Sequence, residues 1–107
     1  MKNKNDKPTF QGFYKNGQVK YQTWWVNDKR HREGGKPAVQ KFYENGQVKY
    51  QEWWVDGKCR REGSKPTTQG FYENGQIEYQ EWWVNGVKIK EEWYYNKRQK
   101  KNRRKIK

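Results

Sequence analysis

Apolar and polar residues alternate along this chain in short bursts, and each burst ends in a pair of adjacent tryptophans. The stretch QVKYQEWWV, residues 47–55, is representative. Read as a strand, it puts Val48, Tyr50, Glu52 and Trp54 on one side and Lys49, Gln51, Trp53 and Val55 on the other, because successive side chains leave a strand on opposite faces. Neither side is cleanly polar, so the pattern predicts a thin sheet with an aromatic strip on each face. Turn signals bracket the segment: Asn45-Gly46 precedes it and Asp56-Gly57 follows. Asn-Gly suits a type I′ hairpin turn, which needs positive φ at both central residues.

The same wording occurs three times. Trp24-Trp25, Trp53-Trp54 and Trp82-Trp83 are each 29 residues apart, as are Lys7-Pro8, Lys36-Pro37 and Lys65-Pro66. Asn-Gly recurs at 16–17, 45–46 and 74–75, and a second turn follows at Asn27-Asp28, Asp56-Gly57 and Asn85-Gly86. A third break falls at residues 34–37 and again at 63–66. Each copy therefore reads as two long strands and a short one, with no sustained helical periodicity before residue 91. The expected fold is an all-β antiparallel meander in which each unit buries its face against a neighbour. The expected boundaries are an arm at 1–6, copies at 7–35, 36–64 and 65–92, a closing strand at 93–95 and a tail at 96–107.

Composition first argues against folding and then for it. Val, Ile and Phe supply only 14 of 107 residues, Leu is absent, and the net charge is +13. That balance belongs to disordered chains. Seven Trp and eight Tyr reverse the reading, since each aromatic can bury a large area. Trp24, Trp25, Trp53, Trp54, Trp82, Trp83 and Trp93 are expected to be the structural core, with an exposed binding strip as the alternative. A thin sheet leaves one face to cover, which a second copy would do through a sheet face or edge. One cysteine, Cys59, excludes an intramolecular disulfide and a four-cysteine zinc site. With no apolar leader and no run of about 20 apolar residues, the expected setting is soluble, intracellular and reducing, neither secreted nor transmembrane.

At these residues the chain resembles a known family. YENG, YQEWWVDGK and NDKRHREGGKPA are similar to the longer variant of the MORN-type repeat, abundant in large DNA viruses of amoebae. The resemblance spans residue 7 to about 92. It implies a single-layer, twisted, meandering sheet, a scaffolding role, contact with acidic phospholipids in some members, and a virion setting. The triplet HRE is complete only at His31-Arg32-Glu33; the later copies have Arg60-Arg61-Glu62 and Ile89-Lys90-Glu91, and a lysine is inserted before Pro37 and Pro66.

Charge is graded along the chain. The three copies carry +4, +2 and −2, and residues 93–107 carry +8 with no acidic residue. The tail, with Lys97, Arg98, Lys100, Lys101, Arg103, Arg104, Lys105 and Lys107, has little to bury and is expected to be disordered when free. Four uses compete: a solvated solubility device, a nuclear-targeting signal, an anchor to anionic lipid, and a nucleic-acid-binding arm. The last, with DNA as the favoured polyanion, needs no base contacts, because each phosphate neutralised releases counterions. The pairs Arg30 and Arg32, and Arg60 and Arg61, are expected at matching repeat positions and could extend that track along the sheet, where the third copy supplies only Lys88 and Lys90. Catalysis has no visible basis and no cofactor or metal site is expected. His31 lies between two arginines, Ser64 sits in a break, and Cys59 stands between Lys58 and Arg60, which would favour its thiolate.

Overall fold

A computed structural model describes residues 6–95; the basic tail at 96–107, and every tail residue named above, lies outside that range. Among the described residues all regular structure is β. The strands are β1 (Phe10–Phe13), β2 (Val19–Thr23), β3 (Trp25–Val26), β4 (Lys29–Arg30), β5 (Val39–Phe42), β6 (Val48–Glu52), β7 (Trp54–Val55), β8 (Lys58–Cys59), β9 (Thr68–Phe71), β10 (Ile77–Val84) and β11 (Val87–Trp93). Seven form one open sheet in the order β1-β2-β5-β6-β9-β10-β11, and β3-β4 and β7-β8 are separate two-stranded hairpins. Every pairing in the large sheet is antiparallel. The molecule is a single-layer meander measuring 49 × 38 × 18 Å.

Two local expectations are corrected. The doublet does not continue one long strand in the first two copies. β2 stops at Thr23 and β6 at Glu52, and the chain leaves the sheet at Trp24 and Trp53 to form the hairpins. Those two residues are buried, each 5% exposed, as are Ala38 and Thr67, whose carbonyls accept the Trp24 and Trp53 N–H at 2.9 Å, so burying the first Trp outweighs continuing the ladder. Only β10 runs unbroken through its doublet.

The Asn-Gly turns are also of a different type. Gly17 lies at φ 92°, whereas Asn16 is not among the residues with positive φ. The Gly17 N–H donates to the Tyr14 carbonyl at 3.0 Å and the Tyr14 N–H to the Gln18 carbonyl at 2.9 Å. This is a type I turn closed by a glycine bulge, one residue longer than a type I′ loop. The asparagine serves differently: its Oδ1 accepts the N–H two residues on, at 2.9 Å from Gln18 and Gln47 and 3.0 Å from Gln76. Type I′ geometry belongs to the second turn, where Asn27 and Asp28 lie at φ 51° and 65°, and Asp56 and Gly57 at 52° and 80°.

Register carries the 29-residue period into three rows across the sheet. One face presents Gln11, Gln22, Gln40, Gln51, Gln69 and Gln80 in direct opposition, ending at Glu92. The opposite face presents Tyr21, Lys41, Tyr50, Gly70, Tyr79 and Trp93 in one row and Thr23, Val39, Glu52, Thr68, Glu81 and Glu91 in the next. Successive copies are also tied by side chains. Tyr14 donates its hydroxyl to the Phe42 carbonyl at 2.6 Å and Tyr43 to the Phe71 carbonyl at 2.7 Å. Tyr72 finds the Tyr94 carbonyl at 2.7 Å, so the segment after β11 supplies the acceptor that a fourth copy would otherwise provide.

Candidate functional site

The two tryptophans of each doublet have different surroundings. The first is fixed by its indole N–H, which donates to a carbonyl 18 residues earlier: Trp24 to Asp6 at 3.1 Å, Trp53 to Gly35 at 2.9 Å, Trp82 to Ser64 at 2.8 Å. A cation eight residues later covers each ring. Arg32 lies 3.6 Å from the Trp24 ring centre, Arg61 3.7 Å from Trp53, and the Lys90 ammonium 4.5 Å from Trp82. Arg32 and Arg61 also donate to the carbonyls of Pro37 and Pro66, at 3.0 and 3.1 Å. These arginines hold the junction between copies. Arg32 is further gripped by Asp6, whose two oxygens accept at 3.1 and 2.9 Å. That grip, with Lys36 at 3.0 Å, lowers the Asp6 carboxyl from 3.8 to about 2.

The second tryptophans line a series of slots. In the first, Arg30 stands between two indoles, 5.1 Å from the Trp25 ring centre and 5.2 Å from Trp54. Its Nε is buried and, among the described residues, has no hydrogen-bond partner, so the ring faces hold it. The two hairpins close over this slot edge to edge: the Gly57 N–H donates to the Arg30 carbonyl at 2.9 Å and the Arg32 N–H to the Trp54 carbonyl at 3.3 Å.

The second slot differs. The residue 29 positions after Arg30 is Cys59, so the two arginine pairs do not match position for position between copies: Arg61 matches Arg32, Arg60 matches His31, and Arg30 has no basic counterpart in the second copy. Among the described residues no backbone bond joins Cys59 to Gly86 or Arg61 to Trp83, and an open groove of about 1270 Å³ lies there. Trp54, Trp83, Cys59, Tyr50, Glu52 and Glu81 are among its walls. Glu52 accepts from the Trp54 indole at 2.8 Å and from the Tyr50 hydroxyl. Glu81 accepts from the Trp83 indole at 2.9 Å and lies 3.7 Å from Lys88, which also contacts Glu91.

The environment of Cys59 is the reverse of the one its sequence neighbours imply. Burial pushes its thiol up from the ordinary value, and nearby Glu52 and Glu81 push the same way. The Tyr79 phenol rises to about 12, chiefly through burial. His31 is a structural acceptor: its Nδ1 takes the Asp56 N–H at 2.8 Å while Nε2 faces Glu33 at 3.5 Å. Among the described residues no group of three or more His, Cys, Asp or Glu is arranged to hold a metal ion.

Of the four sheet arginines singled out from sequence, Arg32 and Arg61 stack on the first tryptophans, Arg30 fills the first slot and Arg60 is exposed. The slot residues Cys59, Glu52 and Glu81 escaped attention as a site, although aligning the copies exposes the Arg30-to-Cys59 change. Compared with protein-family models, with curated proteins and with solved structures, the chain matches none.

Proposed function

We propose that this chain is a non-enzymatic scaffold whose sheet is a platform and whose C-terminal segment binds nucleic acid through the phosphate backbone, without sequence specificity. The observation that carries this is the partition of charge. Residues 6–95 hold 15 basic and 12 acidic side chains, a net of +3 out of +13, while eight cationic residues fall within 97–107. Three of the sheet's arginines already stack on indoles, which favours the tail over the sheet as the polyanion contact. The resemblance to MORN-type repeats supports the scaffold reading and extends it to compaction or tethering of a viral genome inside a virion. Hydrogen-bond clamps between copies, as from Tyr14 to the Phe42 carbonyl and from Tyr43 to the Phe71 carbonyl, are in keeping with a structural role.

Duplex DNA binding across a salt series tests this, comparing the full chain with a full-length variant whose eight tail cations are glutamine. The expected result is a log–log salt slope of about −5 or steeper for the parent and loss of most affinity in the variant. Equal binding by both would move the contact to the sheet. No binding by either, with binding to anionic vesicles instead, would assign the same charges to a membrane surface; binding to neither polyanion would leave a protein–protein scaffold using the open sheet edges.

A further inference from the structure

The structure assigns a guanidinium-binding site to the groove between Trp54 and Trp83. The chain itself supplies the precedent. One copy earlier, the equivalent position between two indoles is filled by the guanidinium of Arg30, at 5.1 and 5.2 Å from the flanking ring centres. In the second slot the flanking indoles are retained as Trp54 and Trp83, but the filler is Cys59, which is too short to lie between them. The part of the groove beside Cys59, between Trp54 and Trp83, corresponds to the space that the longer side chain occupies upstream.

Charge points to the same ligand. The residues two positions before the three second tryptophans are Thr23, Glu52 and Glu81. The first slot therefore has one hydroxyl and one carboxylate around the cation built in between its indoles, whereas the second has two carboxylates and no cation between its indoles. Lys88 pairs with Glu81 from outside at 3.7 Å, and Lys58, Arg60, Arg61, Lys65 and Lys90 stand elsewhere around the groove. Glu52 makes no salt bridge among the described residues. Each carboxylate oxygen already meets one donor, Trp54 and Tyr50 on Glu52 and Trp83 and Lys88 on Glu81, and has a second lone pair to offer. A planar guanidinium can stack on ring faces and reach carboxylates with in-plane donors at the same time, which a compact ammonium cannot do. The thiol raises no obstacle, since its burial beside two carboxylates keeps it uncharged. The ligand class is an arginine side chain, whether on a partner peptide or supplied by Arg98, Arg103 or Arg104 of the same chain.

Cys59 is a built-in reporter. Its alkylation by iodoacetamide in the full chain is expected to slow at least about fivefold in the presence of saturating N-acetyl-arginine amide, with no slowing by the citrulline analogue and less by the lysine analogue. A Cys59→Arg variant, which copies the upstream slot, is expected to fold and to abolish arginine-dependent quenching of tryptophan fluorescence. Glu81→Gln is expected to weaken it about tenfold. A full-length variant with Arg98, Arg103 and Arg104 replaced by alanine separates the sources: faster alkylation than the parent without added ligand means that the tail occupies the slot, and an unchanged rate means that the arginine comes from a partner. Equal protection by arginine and citrulline, equal protection by arginine and lysine, or undiminished quenching in folded Cys59→Arg would each overturn the assignment.

Discussion

Asp6 lies at the edge of the first copy and does something its sequence position gives no hint of. The same place in the later copies is taken by Gly35 and Ser64, so the repeat offers no pattern from which its role could be read. Folding brings it against Arg32 and Lys36, and the Arg32 hydrogen bonds, first among the causes, lower its carboxyl to about 2. A carboxyl depressed by folding adds stability above its unfolded value of 3.8, and that stability is lost as pH falls through the folded value. Urea unfolding is therefore expected to show a midpoint that declines between about pH 4 and pH 2 through this group. Asp6→Asn should flatten that part of the profile and lower the midpoint near neutral pH; an unaltered profile would mean that the contact is energetically silent. The arginines teach a related lesson. They were legible as a basic cluster, but their pairing with ring faces depends on which Trp leaves the sheet, and two adjacent identical residues do not reveal that.

Within the strands, glycine and tyrosine work as pairs. A Cβ built on Gly70 would lie 2.2 Å from Cε1 of the Tyr79 ring, and one on Gly12 would lie 2.4 Å from Cε2 of Tyr21. The rings lie across their cross-strand glycines, the arrangement by which an aromatic covers a strand's bare backbone. In the middle copy the position is Lys41, with its ammonium 5.3 Å from the Tyr50 ring centre, so that ring has made room. Gly70→Ala is accordingly expected to destabilise by about 2 kcal/mol through overpacking, although alanine ordinarily stabilises a strand relative to glycine. Lys41→Ala should change stability by less than about 1 kcal/mol. Denaturant midpoints of the two variants check both, and a stabilised Gly70→Ala would refute the ring-over-glycine account. At this scale the sequence was largely legible: strand segments, three turn positions per copy and antiparallel order all follow from periodicity and turn residues. What escaped was the hydrogen-bonding role of asparagine, which produces a longer turn than Asn-Gly alone implies, and the competition between ladder and burial at Trp24 and Trp53.

Across the whole molecule the strands form a line, and each strand in the large sheet is hydrogen-bonded to its neighbours in that line. The most buried side chains, Trp24, Ala38, Val39, Trp53, Thr67 and Thr68, lie in or next to β2, β5, β6 and β9, with two of them at the start of β9. Amide exchange should therefore be graded by position, slowest in β9 and fastest in β1 and β11, since local opening follows burial and pairing. Uniform protection, measured by hydrogen exchange, would indicate that the sheet opens only as one cooperative body. The glutamine row has a consequence of another kind. Stacked amides at successive strands, as in the 3.1 Å bond between Gln22 and Gln11, are the side-chain ladder by which separate chains lock into cross-β fibrils. Here a single chain lines up that row of amides internally, and Glu92 ends it with a carboxylate at the β11 side. A further strand adding there would have to pair beside a charged side chain, an edge feature that discourages sheet extension, and the opposite edge offers only the four-residue strand β1.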